Sequence, residues 1–343
     1  MSSGEGGHDM AAVQRIGQYL PGVVSAPMST RVRCVTAADI TPADVQAWGA
    51  LEAEALQPNA YMSPHFVLPA LRYLDRPRGA VILLVERVGG GAAQMVAVAV
   101  IHRVGAARLL PLPHHAMYQS RHSYLGSPLL HRDHGGEAAL ALFEGLARYC
   151  WSSAGLILPN VDPAGPLLAT LKEAWAARGL VLQPAFELRR AALIPAQAGP
   201  ESLRRRKKYK DLERCRRRLA EQGDVQWLMH RQAVDADIVE SFLRLENSGW
   251  KGERQKSLRS RANDEAFFRE VVAAFGREGR VFFTEVRLNG QAIASTSNFV
   301  SAQAGFAFKI GVDEAYRKYC VGMLNDAELV NQAPQVCGDL SFI

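Results

Sequence analysis

The chain has 343 residues, enough for two average domains that each bury a core. Hydrophobic residues make up 48% and charged residues 22%, and no apolar run approaches the roughly 20 residues of a membrane span. The net charge of +6 is local: Glu201 to Gln222 holds ten Lys or Arg against four Asp or Glu, and the remainder balances at 30 each. One basic helix is therefore expected rather than the surface-wide basicity of a nucleic-acid coat.

Residues 1–28 lack a basic end, a long apolar segment and a small-residue cleavage site, and read as a flexible leader rather than a secretory signal. The five cysteines (Cys34, Cys150, Cys215, Cys320, Cys337) are odd in number, scattered and free of any CxxC pair. That pattern points to reduced thiols in the cytoplasm, not to a disulfide framework or a zinc knuckle.

After a short strand, "TRVRCV", Thr41 and Pro42 start a helix to Leu56, and a second helix begins near Ser63 with Pro64 in its first turn. "AVILLVERV" and "QMVAVAVIHRV" read as antiparallel strands around Gly89, Gly90 and Gly91. The triplet is a turn, because a dinucleotide fingerprint needs a helix directly after its glycines. A histidine-rich loop (His114 to His134), a helix from about Gly136 to Trp151 and the strand "GLILPNV" follow. A helix from about Ala164 to Arg178 and a long strand, "VLQPAFELRRAALI", complete the first half. "PAQAGPES" reads as the linker.

The basic helix opens the second half and ends at Gly223, with Tyr209, Leu212, Cys215 and Leu219 as its apolar stripe. A strand "DVQWLMH", a helix from Asp235 to about Ser248 with the stripe Ile238, Phe242 and Leu245, and a helix over Asp264 to Arg277 follow. "VFFTEVRL" and "QAIASTSNFV" flank Asn289-Gly290, a strong hairpin signal. A turn over Ser301 to Ala304 leads into "GFAFKIGV", and the three-strand meander feeds a helix from about Cys320 to Gln332. "DLSFI" is a further strand. The expected class is α/β (α+β), with a leader to residue 28, an N-terminal domain over 29–196 and a C-terminal domain over 197–343 that includes the basic helix 201–222.

The junction "GVDEAYRKYCVGML" joins strand to helix. The first N–H groups of that helix point outward unpaired and attract anions, while Arg317 and Lys318 add positive charge and Gly322 leaves room for a phosphate. The bland alternative is a plain turn with a solvated basic pair. The five histidines His114, His115, His122, His131 and His134 include an H-x-x-H, but no cysteine or paired carboxylate completes a metal set, and no metal is expected. Asp133 marks a helix start instead.

The junction resembles the acyl-coenzyme A pyrophosphate loop of the GNAT acetyltransferase superfamily, with Arg317 at the basic position, Gly322 at the second glycine and Cys320 where the first glycine is expected. "LENSGWKGERQKSL" looks like the signature of the CelD-like, FemAB-related acetyltransferases, and "QPNAYMSPHF" and "SYLGSPLL" look like that family's N-terminal signatures. The resemblance runs from about Ala47 to the end and implies two GNAT-like folds, the first degenerate and the second an acetyltransferase. Members continue past a strand like "DLSFI", so a truncated chain or a differently finished sheet is expected.

The resemblance implies an N- or O-acetyltransferase in which the acceptor attacks the thioester directly. Acetyl-CoA or another acyl-CoA is the co-substrate, without a metal, and the acceptor is a sugar or amine destined for cell-surface or extracellular polysaccharide. Cofactor contacts are expected at Ile310, Val312, Arg317, Lys318, Cys320, Val321, Gly322 and Met323, with the pantetheine arm along the edge of "GFAFKIGV". Glu246, at the end of an apolar-faced helix, is the candidate base, because partial burial raises a carboxyl's pKa toward neutrality. Lys251 would hold an acidic acceptor, and Trp250 either stacks on a sugar or anchors the core. Lys309 either joins the catalytic set or faces solvent opposite Phe308, and Asp313 either caps the turn or orients Lys309. Two alternatives remain: a FemAB-like aminoacyl transferase that grips aminoacyl-tRNA with the basic helix, and a non-enzymatic nucleic-acid-binding protein.

Overall fold

The computed structural model describes residues 29–342 except 75, 76, 78, 90, 91, 107–110, 151–153, 180, 186, 188–191, 205–208, 232, 233, 338 and 339. The expected leader, two of the turn glycines and the middle of the basic segment lie outside the described residues. The first half contains β1 (Ser29–Val35), α1 (Pro42–Ala53), α2 (Pro64–Tyr73), β2 (Val81–Gly89), β3 (Ala92–Val104), β4 (His114–Met117), β5 (Leu129–Leu130), α3 (Gly135–Tyr149), β6 (Leu156–Ile157) and α4 (Pro166–Ala176). The second contains α5 (Pro200–Arg204), α6 (Tyr209–Ala220), β7 (Val225–His230), α7 (Ala236–Glu246), α8 (Trp250–Glu253), α9 (Ala262–Arg277), β8 (Val281–Leu288), β9 (Gln291–Ser301), β10 (Ala304–Val312), α10 (Val321–Val336) and β11 (Ser341–Phe342).

Local chemistry sets several boundaries. Thr41, Ser63 and Asp235 accept backbone N–H bonds at the starts of α1, α2 and α7, satisfying donors that a helix end leaves free. Asn289 and Gly290, with φ of 49° and 79°, make the tight turn between β8 and β9.

The two sheets repeat one pattern. The first runs β1-β2-β3-β4-β6, with β5 also on β3, and the second runs β11-β10-β9-β8-β7. In each, the first four strands pair antiparallel and the last joins the fourth in parallel, after a helix that crosses over. The halves share a core in which α1 and α2 meet α7 and α9, with Phe66 edge-on to Phe267 at 5.2 Å and Tyr61 edge-on to Phe306 at 5.6 Å. Such aromatic pairs each contribute about 1 kcal/mol beyond their buried area. The opposite faces are covered by α3 and α4 in the first half, and by α6 and α10 in the second.

Three expectations are corrected. Residues 181–185 form no strand, and "GLILPNV" pairs only at Leu156–Ile157. Asp133 is not the cap of α3; His134 occupies that position and no side chain caps the helix. The segment read as a linker packs into the second half, where the Gly199 N–H reaches the Val330 carbonyl at 2.9 Å.

Candidate active site

The site forms along one edge of β10. Its pairing with β9 shifts register between Ala307 and Lys309, so Phe308 is the extra residue of a bulge. The bulge breaks the alternation that would set Lys309 opposite Phe308. Phe306 and Phe308 both enter the shared core, while Lys309 is half-buried beside them, with its ammonium 5.4 Å from the centre of the Phe308 ring.

Among the described residues, β11 pairs with β10 only at Ala304 and Gly305, and no other strand lies on the rest of that edge. Two side chains occupy it instead. Tyr124 Oη donates to the Phe308 carbonyl at 2.9 Å, and Lys251 Nζ donates to the Ile310 carbonyl at 2.6 Å. The Lys309 carbonyl between them accepts from Ser297 Oγ on β9 at 3.2 Å, as expected where successive carbonyls alternate edges. An acyl-donor arm laid along this edge has to exchange with Tyr124 and Lys251.

Glu246, the last residue of α7, is 2% exposed. Its Oε2 accepts from the Leu258 N–H at 2.8 Å, and its Oε1 lies 3.5 Å from Lys251 Nζ. Burial raises its pKa; the Leu258 bond and the Lys251 and Lys309 cations offset part of that rise. Burial lowers the Lys309 pKa, offset by Glu246. Both groups are thus pushed toward their neutral forms. Gly311 allows the arrangement, because a Cβ there would stand 2.6 Å from the Glu246 backbone nitrogen.

The first half contributes the opposite wall. His122 lies 3.5 Å from Asp264 Oδ2 and stacks on Phe267 at 5.7 Å, while Arg121 pairs with Asp264 across the halves. Burial, then the Lys309 cation, push His122 down to about 4, so it is neutral at physiological pH. Sequence reasoning missed Arg121, His122, Tyr124 and Asp264 as site residues. The only signal was that Tyr124 falls in "SYLGSPLL".

The two signature segments touch. The Glu314 N–H reaches Ser248 Oγ at 3.4 Å, and Gly249, at φ +61°, lies so close to the Glu314 side chain that no Cβ would fit. Trp250 is 44% exposed beside Arg254, so it is not a core anchor.

At the junction, residues Glu314–Tyr319 form a 3-10 helix before α10 begins, and the Asp313 carboxylate caps it by accepting the Ala315 N–H at 3.0 Å. Cys320 sits in the left-handed region with φ 54° and ψ 34°. No side chain caps α10, which leaves the N–H groups of Val321, Gly322 and Met323 without an acceptor inside the helix. Arg317 is 78% exposed, Lys318 and Met323 are exposed, and the Val321 side chain is buried. A Cβ on Gly322 would press on Ile310 and Val312 at 3.1 and 3.2 Å, so this glycine serves helix–strand packing. Among the described residues, no three His, Cys, Asp or Glu side chains are grouped to hold a metal.

Residues 206–337 match the family model of an acetyltransferase (GNAT) domain. No curated protein matches the chain in sequence. In structure the chain is similar to FemX, with a TM-score of 0.56 and 11% identity over 90% of this chain and 87% of that one. It is also similar to a conserved protein of unknown function from Bacteroides thetaiotaomicron, with a TM-score of 0.51 and 13% identity over 89% and 88% of the two chains. A tandem GNAT protein from the clavulanic acid biosynthesis pathway aligns at a TM-score of 0.37 and 14% identity over 92% and 89%, too distant to add to the argument. An acyltransferase domain leaves the non-enzymatic nucleic-acid reading without support. The second half thus carries a match to a GNAT acyltransferase domain, set within a two-sheet α/β fold similar to that of FemX.

Proposed function

We propose that the chain transfers an acyl group, acetyl in the first instance, from coenzyme A to an amine or hydroxyl that attacks the thioester directly. The acceptor is a sugar or amine of a cell-surface or extracellular polysaccharide, modified in the cytoplasm. The observation that carries the reading is Glu246: a buried carboxylate of raised pKa, flanked by Lys251 and Lys309, at the unpaired edge of the strand that leads to the start of α10.

In this reading Glu246 takes the acceptor's proton as the new bond forms, and Lys309 favours the negative charge gathering on the thioester oxygen. Lys251 releases the Ile310 carbonyl to the pantetheine arm and turns to the acceptor, while Trp250 forms the wall against which a sugar stacks. The pyrophosphate lies at the N–H groups of Val321, Gly322 and Met323, with Arg317 and Lys318 beside it, and Ile310, Val312 and Cys320 flank the arm. Asp313 shapes the turn.

Isothermal titration with acetyl-CoA tests the reading. Saturable binding is expected, weakened at least tenfold by joint Arg317→Glu and Lys318→Glu, both exposed. Absence of binding, or binding indifferent to the reversal, would sink it.

A second reading is FemAB-like aminoacyl transfer. It is favoured by the similarity to FemX over nine-tenths of the chain and by the side chains that already occupy the β10 edge. Transfer from aminoacyl-tRNA without acyl-CoA turnover would establish it in place of the first.

A further inference from the structure

Cys320 occupies a left-handed corner, φ 54° and ψ 34°, where glycine is the ordinary occupant and a side chain is strained. Its sulfur lies 3.2 Å from that of Cys215, 105 residues earlier on α6. Both thiols are free. A disulfide needs the sulfurs at about 2.05 Å, so closure asks for a movement on the order of 1 Å between two elements already in contact. The strained residue therefore does something glycine cannot: it presents a thiol to α6.

We propose that Cys215 and Cys320 are a modification site, forming a reversible disulfide that ties the basic helix to the start of α10. The Cys320 residue is half-buried and Cys215 buried, so Cys320 meets the oxidant and Cys215 resolves it. With a small disulfide as oxidant, the Cys320 thiolate attacks one sulfur, forms a mixed disulfide and releases one thiolate. The Cys215 thiolate then attacks Cys320 Sγ and releases the second. Two protons and two electrons leave the protein, and two small thiols are formed. Burial and the neighbouring Cys320 thiol raise the Cys215 pKa, and the Arg214 and Arg218 guanidiniums offset part of that rise. Such a bond suits a reducing compartment as a transient mark. Resting on the coenzyme A reading, it would also fix the corner beside the N–H groups proposed to hold the pyrophosphate.

The test treats the full chain with oxidised glutathione, alkylates the remaining thiols and maps peptides by mass without reductant. The expected product is one cross-link joining the Cys215 and Cys320 peptides, two hydrogens lighter than the pair, reversed by dithiothreitol and absent in Cys215→Ala and in Cys215→Ser. A glutathione adduct that persists on Cys320, or cross-links between other cysteines only, would overturn the proposal. Acetyl-CoA titration of the two wild-type forms is expected to differ at least threefold, and dithiothreitol is expected to return the treated form to the affinity of the untreated one. If neither form binds acetyl-CoA, the donor reading falls while the mapped cross-link stands or fails by itself.

Discussion

Lys251 ties Ile310 to Glu246: its ammonium donates to the Ile310 carbonyl at 2.6 Å and stands 3.5 Å from the Glu246 carboxylate. One cation therefore holds the strand edge and moderates the candidate base. In Lys251→Met the carboxylate keeps the Leu258 N–H and the more distant Lys309, and its pKa rises further. A base must be unprotonated to act, so the acid limb of the kcat/KM profile is expected to move to higher pH. A profile of the variant that superimposes on the wild type would separate Lys251 from the chemistry.

Glu246→Gln removes the proton acceptor but keeps an oxygen for the Leu258 N–H. Loss of general-base catalysis is expected to lower kcat by about 10²–10⁴-fold, with donor affinity little changed. Stability moves the other way. The folded-state pKa of Glu246 lies above its ordinary 4.5, so the folded protein holds this proton longer than the unfolded chain does. Stability conferred by the neutral form is therefore complete below 4.5 and lost as pH rises through the folded pKa. Urea titrations at pH 4 and 8 are expected to show the wild type losing ground to the variant at the higher pH.

The elements legible in the sequence are those with a local cause. Thr41, Ser63 and Asp235 cap the helices they are expected to start, and Asn289-Gly290 turns the hairpin. The orientation of Lys309 is not legible, because a bulge at Phe308 resets the alternation and nothing in "GFAFKIGV" marks it. Glu246 and Lys251 can be named from a signature segment, whereas Arg121 and Asp264 meet across 143 residues and belong to different halves. Such a pair exists only once the halves pack. "VLQPAFELRRAALI" reads as a strand by composition, yet β-propensity expresses a fit to a neighbouring strand. Its described residues 181–185 have none.

The packing of the halves rests in part on Arg280 and Glu52. Arg280 Nη1 lies 2.7 Å from Glu52 Oε1, the Glu52 side chain is 0% exposed, and its second oxygen has no hydrogen-bond partner among the described residues. Arg280→Ala leaves a buried carboxylate without its cation, at an expected cost of about 3–5 kcal/mol. Because the aromatic core spans both halves, urea unfolding is expected to remain a single transition at lower midpoint. A double variant, Arg280→Met with Glu52→Gln, should recover part of the loss.

The arginines of α6 distinguish the two donors, provided the right ones are changed. Arg216 is a poor choice, since it pairs with Glu328 of α10 at 2.9 Å and its removal would disturb packing. Arg218 lies over the Tyr319 ring at 5.8 Å, close to the proposed phosphate corner. Arg214 and Arg217 are exposed, while Leu212, Cys215 and Leu219 bury the other face of the helix. Joint reversal, Arg214→Glu with Arg217→Glu, is therefore expected to leave acetyl-CoA affinity within twofold if coenzyme A is the donor. If tRNA is the donor, its affinity should collapse, and the slope of log K against log salt should shrink by roughly 0.7–0.9 for each phosphate no longer neutralised.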